Sequence, residues 1–204
     1  QNNTQQKGTD MYALSFYNLG YCYFKQQEYD MALNRFRQYT DVEQNHAAAS
    51  YADAYNRIGD CLFHNRQFAA AEENYNKASQ VLPSAGDYSV YQKGFVLGLQ
   101  KDYNGKIQAM DQLIREYPES QYIDDALFEK GRTYVLLENS SSAIQTFNKL
   151  IGEYPESSLA RKAGIQLGLI YYNDNQPEKA AEAYKQVISK YPGSEEAKVA
   201  LQDL

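Results

Sequence analysis

The chain repeats a tyrosine–proline motif at a fixed interval. Glu-Tyr-Pro-Glu-Ser occurs at 116–120 and 153–157, and Lys-Tyr-Pro-Gly-Ser occurs at 190–194, which places the three prolines 37 residues apart. A glycine lies 24 residues before each of these prolines and also before Pro83, and Gly20 shares its local pattern. A period between about 20 and 50 residues indicates stacked supersecondary units. The sequence therefore predicts five repeats, whose glycines are Gly20, Gly59, Gly94, Gly131 and Gly168.

Residues 120–155 show what one repeat contains. Apolar and aromatic residues recur every three or four positions from Ile123 to Tyr134, which is typical of one face of an amphipathic helix. The turn-forming segment 138–141 interrupts this pattern, and a second apolar stripe follows until Pro155. The residue before a proline is biased away from helix, so the second helix is expected to end there. Each repeat is predicted to be a helix–turn–helix hairpin, and the chain to be all-α.

The recurring glycine is expected to lie inside the first helix of each pair. Glycine costs about 1 kcal/mol relative to alanine in a helix interior, so its recurrence indicates a close approach of two helices. Alanine follows twelve positions later in four of the repeats, whereas the third has Lys106 there, and a large residue follows sixteen positions later in all five. The large residues are Phe36, Tyr75, Met110, Phe147 and Tyr184.

Together these positions resemble the tetratricopeptide repeat, most clearly in FYNLGYCY (16–23) with ALNRF (32–36) and in IQLGLIYY (165–172) with AAEAY (180–184). The resemblance implies a right-handed α-solenoid of five helix–turn–helix repeats plus the first helix of a sixth. The predicted organisation is a frayed segment at 1–9 and one solenoid at 10–204, with repeats at 10–46, 47–85, 86–119, 120–156 and 157–193 and a partial repeat at 194–204. The position at which the family carries tryptophan departs from the pattern: it holds Phe16, Tyr55, Val90, Leu127 and Gly164.

The Tyr-Pro-x-Ser hinge and the long period are similar to those of bacterial cell-envelope tetratricopeptide proteins, namely outer-membrane assembly lipoproteins and Tol–Pal-associated proteins. This closer resemblance implies a periplasmic or cell-envelope location. The half repeat after Ser194 is also expected to be part of a longer array.

The composition argues against several classes of partner. The formal net charge is −6, and no run of five or more lysines and arginines occurs. Nucleic-acid-binding proteins need a basic surface to neutralise phosphates, and anionic lipids also attract basic segments. No apolar stretch approaches the roughly 18 residues that a spanning helix needs. The sequence therefore predicts a protein or peptide partner, with no nucleic acid and no membrane insertion of this segment.

No catalytic or cofactor motif is recognisable, so the chain is not expected to be an enzyme or to carry a cofactor. Asp60, Cys61 and His64 could begin a metal site, but no second Cys or His pair accompanies them in the repeat, and no metal is predicted. Cys22 and Cys61 occupy equivalent positions in adjacent repeats and are both expected to be free, buried thiols.

In tetratricopeptide repeats the first helices line a concave groove. The corresponding positions of this chain hold more tyrosine and phenylalanine than its overall 14% aromatic content. The resemblance therefore implies a partner-binding set of Tyr17, Tyr21, Phe24, Asp53, Asn56, Asp60, Phe63, Tyr88, Tyr91, Phe95, Phe128, Arg132 and Tyr172.

The expected ligand is an extended or helical segment with apolar anchors, bound mainly across repeats one to three, with Asp53 and Asp60 favouring a basic residue in it. Tyr17 and Tyr21 occupy positions where carboxylate-clamp members of the family carry lysine and asparagine, so recognition of a chain-terminal carboxylate is not expected. The alternative function is a structural, spacer or oligomerisation array, whose groove would hold ordinary charged residues or a neighbouring chain.

Overall fold

The protein is represented by a computed structural model that describes the backbone of residues 2–204 and the side-chain surroundings of residues 10–204. The predicted frayed segment, 1–9, lies outside the residues whose side chains are described. The described part of the chain forms eleven α-helices and one 3₁₀ turn and contains no strand. The elements are α1 (Asn2–Lys25), α2 (Tyr29–Val42), α3 (Ala49–His64), α4 (Phe68–Val81), a 3₁₀ turn (Pro83–Ala85), α5 (Asp87–Leu99), α6 (Tyr103–Glu116), α7 (Ile123–Leu136), α8 (Ser140–Glu153), α9 (Ser158–Asn173), α10 (Pro177–Lys190) and α11 (Glu195–Asp203).

Each first helix is connected to its second helix by the same tight turn. A non-glycine residue with positive φ occurs seven positions after the predicted glycine in all five repeats. The backbone N–H of the next residue donates to a carbonyl five positions earlier, as in Asn139 to Tyr134 at 2.9 Å, which is the bond that defines a Schellman motif. The residues with positive φ are Gln27 (62°), Arg66 (59°), Lys101 (64°), Glu138 (54°) and Asn175 (55°).

The glycines lie where the sequence analysis expected close helix contact. A Cβ added to Gly131 would be 2.5 Å from Cε1 of Phe147, and one added to Gly59 would be 2.7 Å from Cε1 of Tyr75. Both rings are on the second helix of the same repeat, sixteen residues after the glycine. The absence of a side chain therefore lets the ring of the second helix pack directly on the backbone of the first.

The Tyr-Pro-x-Ser hinge forms the connection from one repeat to the next. The hinge serine caps the helix that follows it in two of the repeats. Ser157 Oγ accepts a hydrogen bond from the Leu159 N–H, and Ser194 Oγ accepts one from the Ala197 N–H, both at 3.0 Å. Side-chain oxygens at this position satisfy N–H groups that have no partner within the helix. The repeated motif thus marks helix starts as well as helix ends.

The chain divides into two compact units, Gln1–Ala109 and Met110–Leu204. In unit 1 the core includes Phe36, Tyr39 and Tyr75, each at most 1% exposed. In unit 2 the core includes Phe147 and Leu150, both 0% exposed. Each core forms between the two helices of a repeat and the adjacent repeat.

One of the two cysteines departs from the sequence prediction. Cys61 is free and buried as expected, whereas Cys22 is free but exposed. Cys61 belongs to the core cluster that the helices of repeats one and two build together, and Thr133 at the equivalent position of repeat four is 0% exposed. This position faces the preceding repeat, and no helix pair precedes α1 in the described residues, so Cys22 has no such cover.

Candidate functional site

The predicted groove positions of repeats one and two meet at one carboxylate. Tyr17 and Tyr21, four residues apart on α1, both donate hydrogen bonds to Oδ2 of Asp53 on α3, and the Tyr17 bond measures 2.7 Å. The two rings pack edge to face with centroids 5.1 Å apart. Tyr17 also packs against Tyr39 and Phe36 of α2. Asp53 therefore joins the first helices of the two repeats.

Arg57, which the sequence analysis did not select, continues this network toward the third repeat. Its Nη1 lies 2.6 Å from Oδ2 of Asp60, and its Nε lies 3.4 Å from Oδ1 of Asp53. Oδ1 of Asp60 accepts hydrogen bonds of 2.8 Å from the hydroxyls of Tyr75 and Tyr88. Arg57 follows Asp53 by four residues and precedes Asp60 by three, which is the spacing of helical ion pairs and could have identified it.

Arg57 occupies the place where a basic residue of the ligand was predicted to bind. Asp60 is only 6% exposed, and both it and Asp53 lie beside the Arg57 guanidinium. The guanidinium in turn lies over the Tyr88 ring, 4.9 Å from its centroid. Removing one member of a buried charge pair leaves the other uncompensated, so these groups stabilise one another in the absence of a ligand.

Burial sets the titration of this network. Burial and then the hydrogen bond to Asp53 raise the pKa of Tyr21 to about 12, and the same causes raise the pKa of Tyr17. Burial also raises the pKa of the Asp60 carboxyl, even though Arg57 and the hydroxyls of Tyr88 and Tyr75 favour its charged form. The tyrosines therefore remain neutral hydrogen-bond donors across the ordinary pH range.

Other predicted residues of unit 1 are packed within the unit in the same way. Asn56 accepts a 2.8 Å hydrogen bond from the Ser89 hydroxyl and is 8% exposed. Phe24 lies beneath Arg57, 5.8 Å from its guanidinium carbon, and Phe63 packs edge to face with Phe68 at 5.9 Å. Each of these contacts joins neighbouring helices.

In repeat three, Tyr91 and Phe95 pack edge to face with centroids 5.0 Å apart. Lys106 stands where the other repeats carry alanine, and its ammonium lies 5.4 Å from the Phe95 centroid. A Cβ added to Gly98 would be 2.9 Å from Cδ of this lysine, so its aliphatic stem fills space beside the helix. Lys106 is 9% exposed and belongs to the packed interior of unit 1.

Unit 2 presents a more open surface at the corresponding positions. Its first helices surround a depression of about 400 Å³, here named the inner groove, lined by Phe128 and Arg132 of α7, Lys162 and Ile165 of α9, and Val199 of α11. Val199 is 41% exposed. The structure thus brings the predicted residues Phe128 and Arg132 together with Lys162, Ile165 and Val199, which are not among the predicted partner-binding residues.

Four charged side chains line the inner groove, and three have ion-pair partners. These pairs are Arg132 with Glu129 at 3.2 Å, Glu196 with Arg161 at 3.8 Å, and Glu195 with Lys198 at 2.6 Å. Lys162 is exposed and forms no ion pair with the described residues. The inner groove therefore combines apolar walls with one unneutralised ammonium group.

Tyr172, the last predicted residue, lies outside the lining of the inner groove but is 67% exposed. On the same helix Leu169 is 38% exposed, and on α7 Val135 and Leu136 are 37% and 62% exposed. Unit 2 thus exposes apolar side chains along its first helices, as unit 1 does at Leu14 (41%) and Leu99 (51%), whereas the residues of the unit 1 network are packed against one another.

The residues considered for a metal site are separated in their surroundings. Cys61 is 0% exposed in the core, whereas the exposed His64 stacks on Tyr29 with ring centroids 3.9 Å apart. Within residues 10–204 no group of three or more metal-ligating side chains is found. Among the described helices, none has the length and apolarity needed to cross a bilayer.

Several solved structures are similar to this chain, although no curated protein matches it. A chain described as MamA 41-end from Desulfovibrio magneticus RS-1 is 18% identical with a TM-score of 0.71, and the match covers 90% of this chain and 97% of that chain. YrrB, described as a TPR protein with an unusual peptide-binding site, is 18% identical with a TM-score of 0.68 and coverages of 98% and 96%. A tetratricopeptide repeat protein from Parabacteroides merdae is 14% identical with a TM-score of 0.73 and coverages of 94% and 77%.

At these identities the likeness establishes the fold, an α-solenoid of helix–turn–helix repeats. Family models described as tetratricopeptide repeat match residues 13–84, 88–120, 125–157 and 163–194. These segments include all five predicted glycines and cover well over half of the chain. The matches do not support the cell-envelope subtype that the hinge motif suggested. The chain belongs to the tetratricopeptide repeat family.

Proposed function

We propose that this chain is a protein–protein interaction module that binds a segment of a partner protein in the inner groove of unit 2. The observation that carries the proposal is the contrast between the two units. In unit 1, Tyr17, Tyr21 and Tyr88 are bonded to Asp53 or Asp60, which pair with Arg57. In unit 2, Phe128 and Arg132 line an open depression of about 400 Å³. The fold provides the surface but not the function, so these side chains carry the argument.

The lining of the inner groove indicates the chemistry of the partner segment. Phe128, Ile165 and Val199 offer apolar contacts, and burial of such contacts contributes roughly 25 cal/mol per Å². Lys162 has no ion pair with the described residues, so an acidic residue of the partner would neutralise it. The partner segment is therefore proposed to be apolar with a neighbouring aspartate or glutamate, in contrast to the basic ligand expected from Asp53 and Asp60.

A structural role is the second candidate, and the network of unit 1 favours it for that unit alone. Its hydrogen bonds join the first helices of adjacent repeats, which is what a rigid spacer requires, and its ion pairs within α3 hold the two accepting carboxylates. The location in the cell envelope and the absence of catalytic activity and nucleic-acid binding remain predictions from the sequence.

The test is selection of peptides from a displayed random library against the full chain, followed by fluorescence anisotropy with the selected sequences. The variant Val199→Asp places a charge in the inner groove and should weaken binding by roughly tenfold or more, because each factor of ten corresponds to about 1.4 kcal/mol. Leu137→Asp is the matched control, because Leu137 is 40% exposed, close to the 41% of Val199, and lies outside the lining.

Lys162→Glu should reverse the charge preference, weakening acidic peptides and strengthening basic ones. Both aspartate variants should unfold at the wild-type temperature, since the substituted positions are exposed. Equal binding by Val199→Asp and Leu137→Asp, or selection of no peptide above the background of the library, would contradict the proposal.

A further inference from the structure

Unit 2 contains a second apolar pocket that lies away from the inner groove. It has a volume of about 420 Å³ and is bordered by α8, α9 and α10. Its base consists of Ala160, Gly164, Leu167, Ala183 and Val187, all of them buried, and its rim is polar. We name it the α8–α10 pocket. Sites for organic ligands are typically apolar concavities of about 300–1,000 Å³ with a few polar groups.

The equivalent positions one repeat earlier carry more polar side chains. Repeat four has a depression of about 240 Å³, lined by Leu127, Lys130 and Thr146 among others. Its lining corresponds in part to the α8–α10 pocket and in part to a smaller depression of about 160 Å³ in repeat five. Moving 37 residues along the chain replaces these three residues by Gly164, Leu167 and Ala183. These exchanges remove an ammonium group and a hydroxyl from the α8–α10 pocket.

Two further differences act in the same direction. Ile123 of repeat four, 3% exposed, corresponds to Ala160, so a second large side chain is absent from the start of α9. In repeat four the Lys130 ammonium is paired with Asp111 at 2.5 Å, whereas repeat five has Leu167 and Asn148 at these positions. The lining of the α8–α10 pocket is therefore less polar than the equivalent positions of repeat four.

The walls of the pocket are held in place by other contacts. The Tyr191 hydroxyl donates a 3.0 Å hydrogen bond to the Pro155 carbonyl, which fixes the ring at the border of the pocket. A Cβ on Gly164 would be 2.4 Å from Cγ2 of Val187, so the valine packs on the glycine backbone and closes the base.

The rim carries an excess of positive charge. Lys185 and Lys190 line the pocket, are exposed, and form no ion pair with the described residues. The single carboxylate of the lining, Glu182, accepts a 3.3 Å hydrogen bond from the Gln186 side chain. An occupant with a negative group beside its apolar part would complement this arrangement.

We propose that the α8–α10 pocket is a second docking site, which receives one aromatic side chain of a partner protein whose neighbouring carboxylate pairs with Lys185 and Lys190. This inference rests on the proposed function in that the occupant is part of a protein partner, but it concerns a different surface. The aromatic group matches the apolar base and the Tyr191 wall, and the carboxylate matches the rim.

The test uses N-acetyl-L-tryptophan as a probe, because it combines an indole ring with one carboxylate. Titration into the ¹⁵N-labelled chain, followed by ¹H–¹⁵N NMR, should give saturable shifts of the Gly164, Ala183 and Val187 amide signals. The expected dissociation constant is on the order of millimolar, as is usual for one anchoring group. N-acetyl-L-tryptophanamide lacks the charge and N-acetylglycine lacks the ring, and both should bind at least about fivefold more weakly.

Ala160→Ile introduces the residue that repeat four carries at this position and should reduce probe binding by about tenfold or more. Lys185→Glu with Lys190→Glu should remove the preference for the carboxylate while leaving the amide probe unaffected. Because these lysines are exposed, replacing them is not expected to lower stability. The lysine variant therefore still tests the inference if Ala160→Ile destabilises the protein.

Absence of saturable shifts, equal binding of all three probes, or shifts confined to the amide signals of Phe128 and Ile165 would overturn the inference. Shifts confined to Phe128 and Ile165 would still be compatible with the proposed function of the inner groove. Conversely, if Val199→Asp failed to weaken peptide binding, that result would contradict the inner-groove proposal and leave the α8–α10 pocket untouched.

Discussion

The contact between Gly131 and Phe147 gives the sharpest test of how the repeat sequence determines the packing. Substitution of Gly131 by alanine improves intrinsic helix propensity by about 1 kcal/mol. The added Cβ, however, would lie 2.5, 2.8 and 2.8 Å from Cε1, Cδ1 and Cζ of the Phe147 ring. Real Cβ atoms essentially never come within 3.0 Å of another atom, so the ring or the helix must move.

The ring has little freedom to do so. Phe147 is 0% exposed and packs against Phe128 with centroids 5.9 Å apart. Overpacking in a core that cannot expand typically costs about 1–3 kcal/mol. Over most of its range this cost exceeds the gain in helix propensity, so Gly131→Ala is expected to lower the free energy of unfolding by up to about 2 kcal/mol.

The control is Gly152→Ala on α8, where an added Cβ meets nothing within 4 Å. That variant should gain a few tenths of a kcal/mol up to about 1 kcal/mol, because only propensity changes. Thermal and urea unfolding monitored by circular dichroism measure both, at about 2–4 °C per kcal/mol for a chain of this size. The double variant Gly131→Ala with Phe147→Leu should recover part of the loss. A Gly131→Ala protein as stable as wild type would refute the close-contact explanation.

Three shorter predictions concern other parts of the structure. In the native protein a thiol reagent at pH 8 should label the exposed Cys22 rapidly and Cys61 only after unfolding, because burial raises the pKa of Cys61 to about 12; rapid labelling of both would contradict this. Glu138→Gly should raise the unfolding free energy by about 0.5–1 kcal/mol, because Glu138 has a φ of 54° that glycine adopts without strain; an unchanged melting temperature would count against it. Burial raises the pKa of Tyr21 and Tyr39 from 10.0 to about 12. Their contribution to stability is therefore full below pH 10 and is lost between pH 10 and 12. Chemical unfolding across this range should show a steeper decline of the unfolding free energy for wild type than for Tyr21→Phe.

The sequence was sufficient for the fold because its signals come from local chemistry. A glycine that meets a ring sixteen residues later, as Gly59 meets Tyr75, requires a helix hairpin of fixed length. A hinge serine such as Ser157 or Ser194 marks the next helix start. These constraints recur in each repeat, so an error in reading one repeat is corrected by the others.

Burial and pairing between repeats were less accessible to sequence reasoning. Cys22 and Cys61 occupy equivalent positions, yet only Cys61 has a preceding repeat among the described residues to cover it. Arg57 lies two residues before Gly59, outside the positions that the family resemblance assigns to the groove, so its place between Asp53 and Asp60 was not predicted. Periodicity gives the direction in which a side chain points, but the identity of its partner depends on the neighbouring repeat.

An aromatic residue at a predicted groove position need not be accessible to a ligand, and Tyr17 provides a final prediction on this point. The sequence predicts that Tyr17 binds the partner, whereas in the structure its hydroxyl donates to Asp53 and its ring packs on Tyr39. Loss of a half-buried aromatic ring and of one hydrogen bond to a charged group predicts that Tyr17→Ala lowers the unfolding free energy by about 2–3 kcal/mol. Tyr17→Phe retains the ring and should lose only about 1 kcal/mol. Urea unfolding of the two variants measures the difference, and Val199→Asp, which is expected to alter peptide binding alone, provides the comparison. A Tyr17→Ala protein with wild-type stability and impaired peptide binding would show that unit 1, and not the inner groove of unit 2, holds the partner.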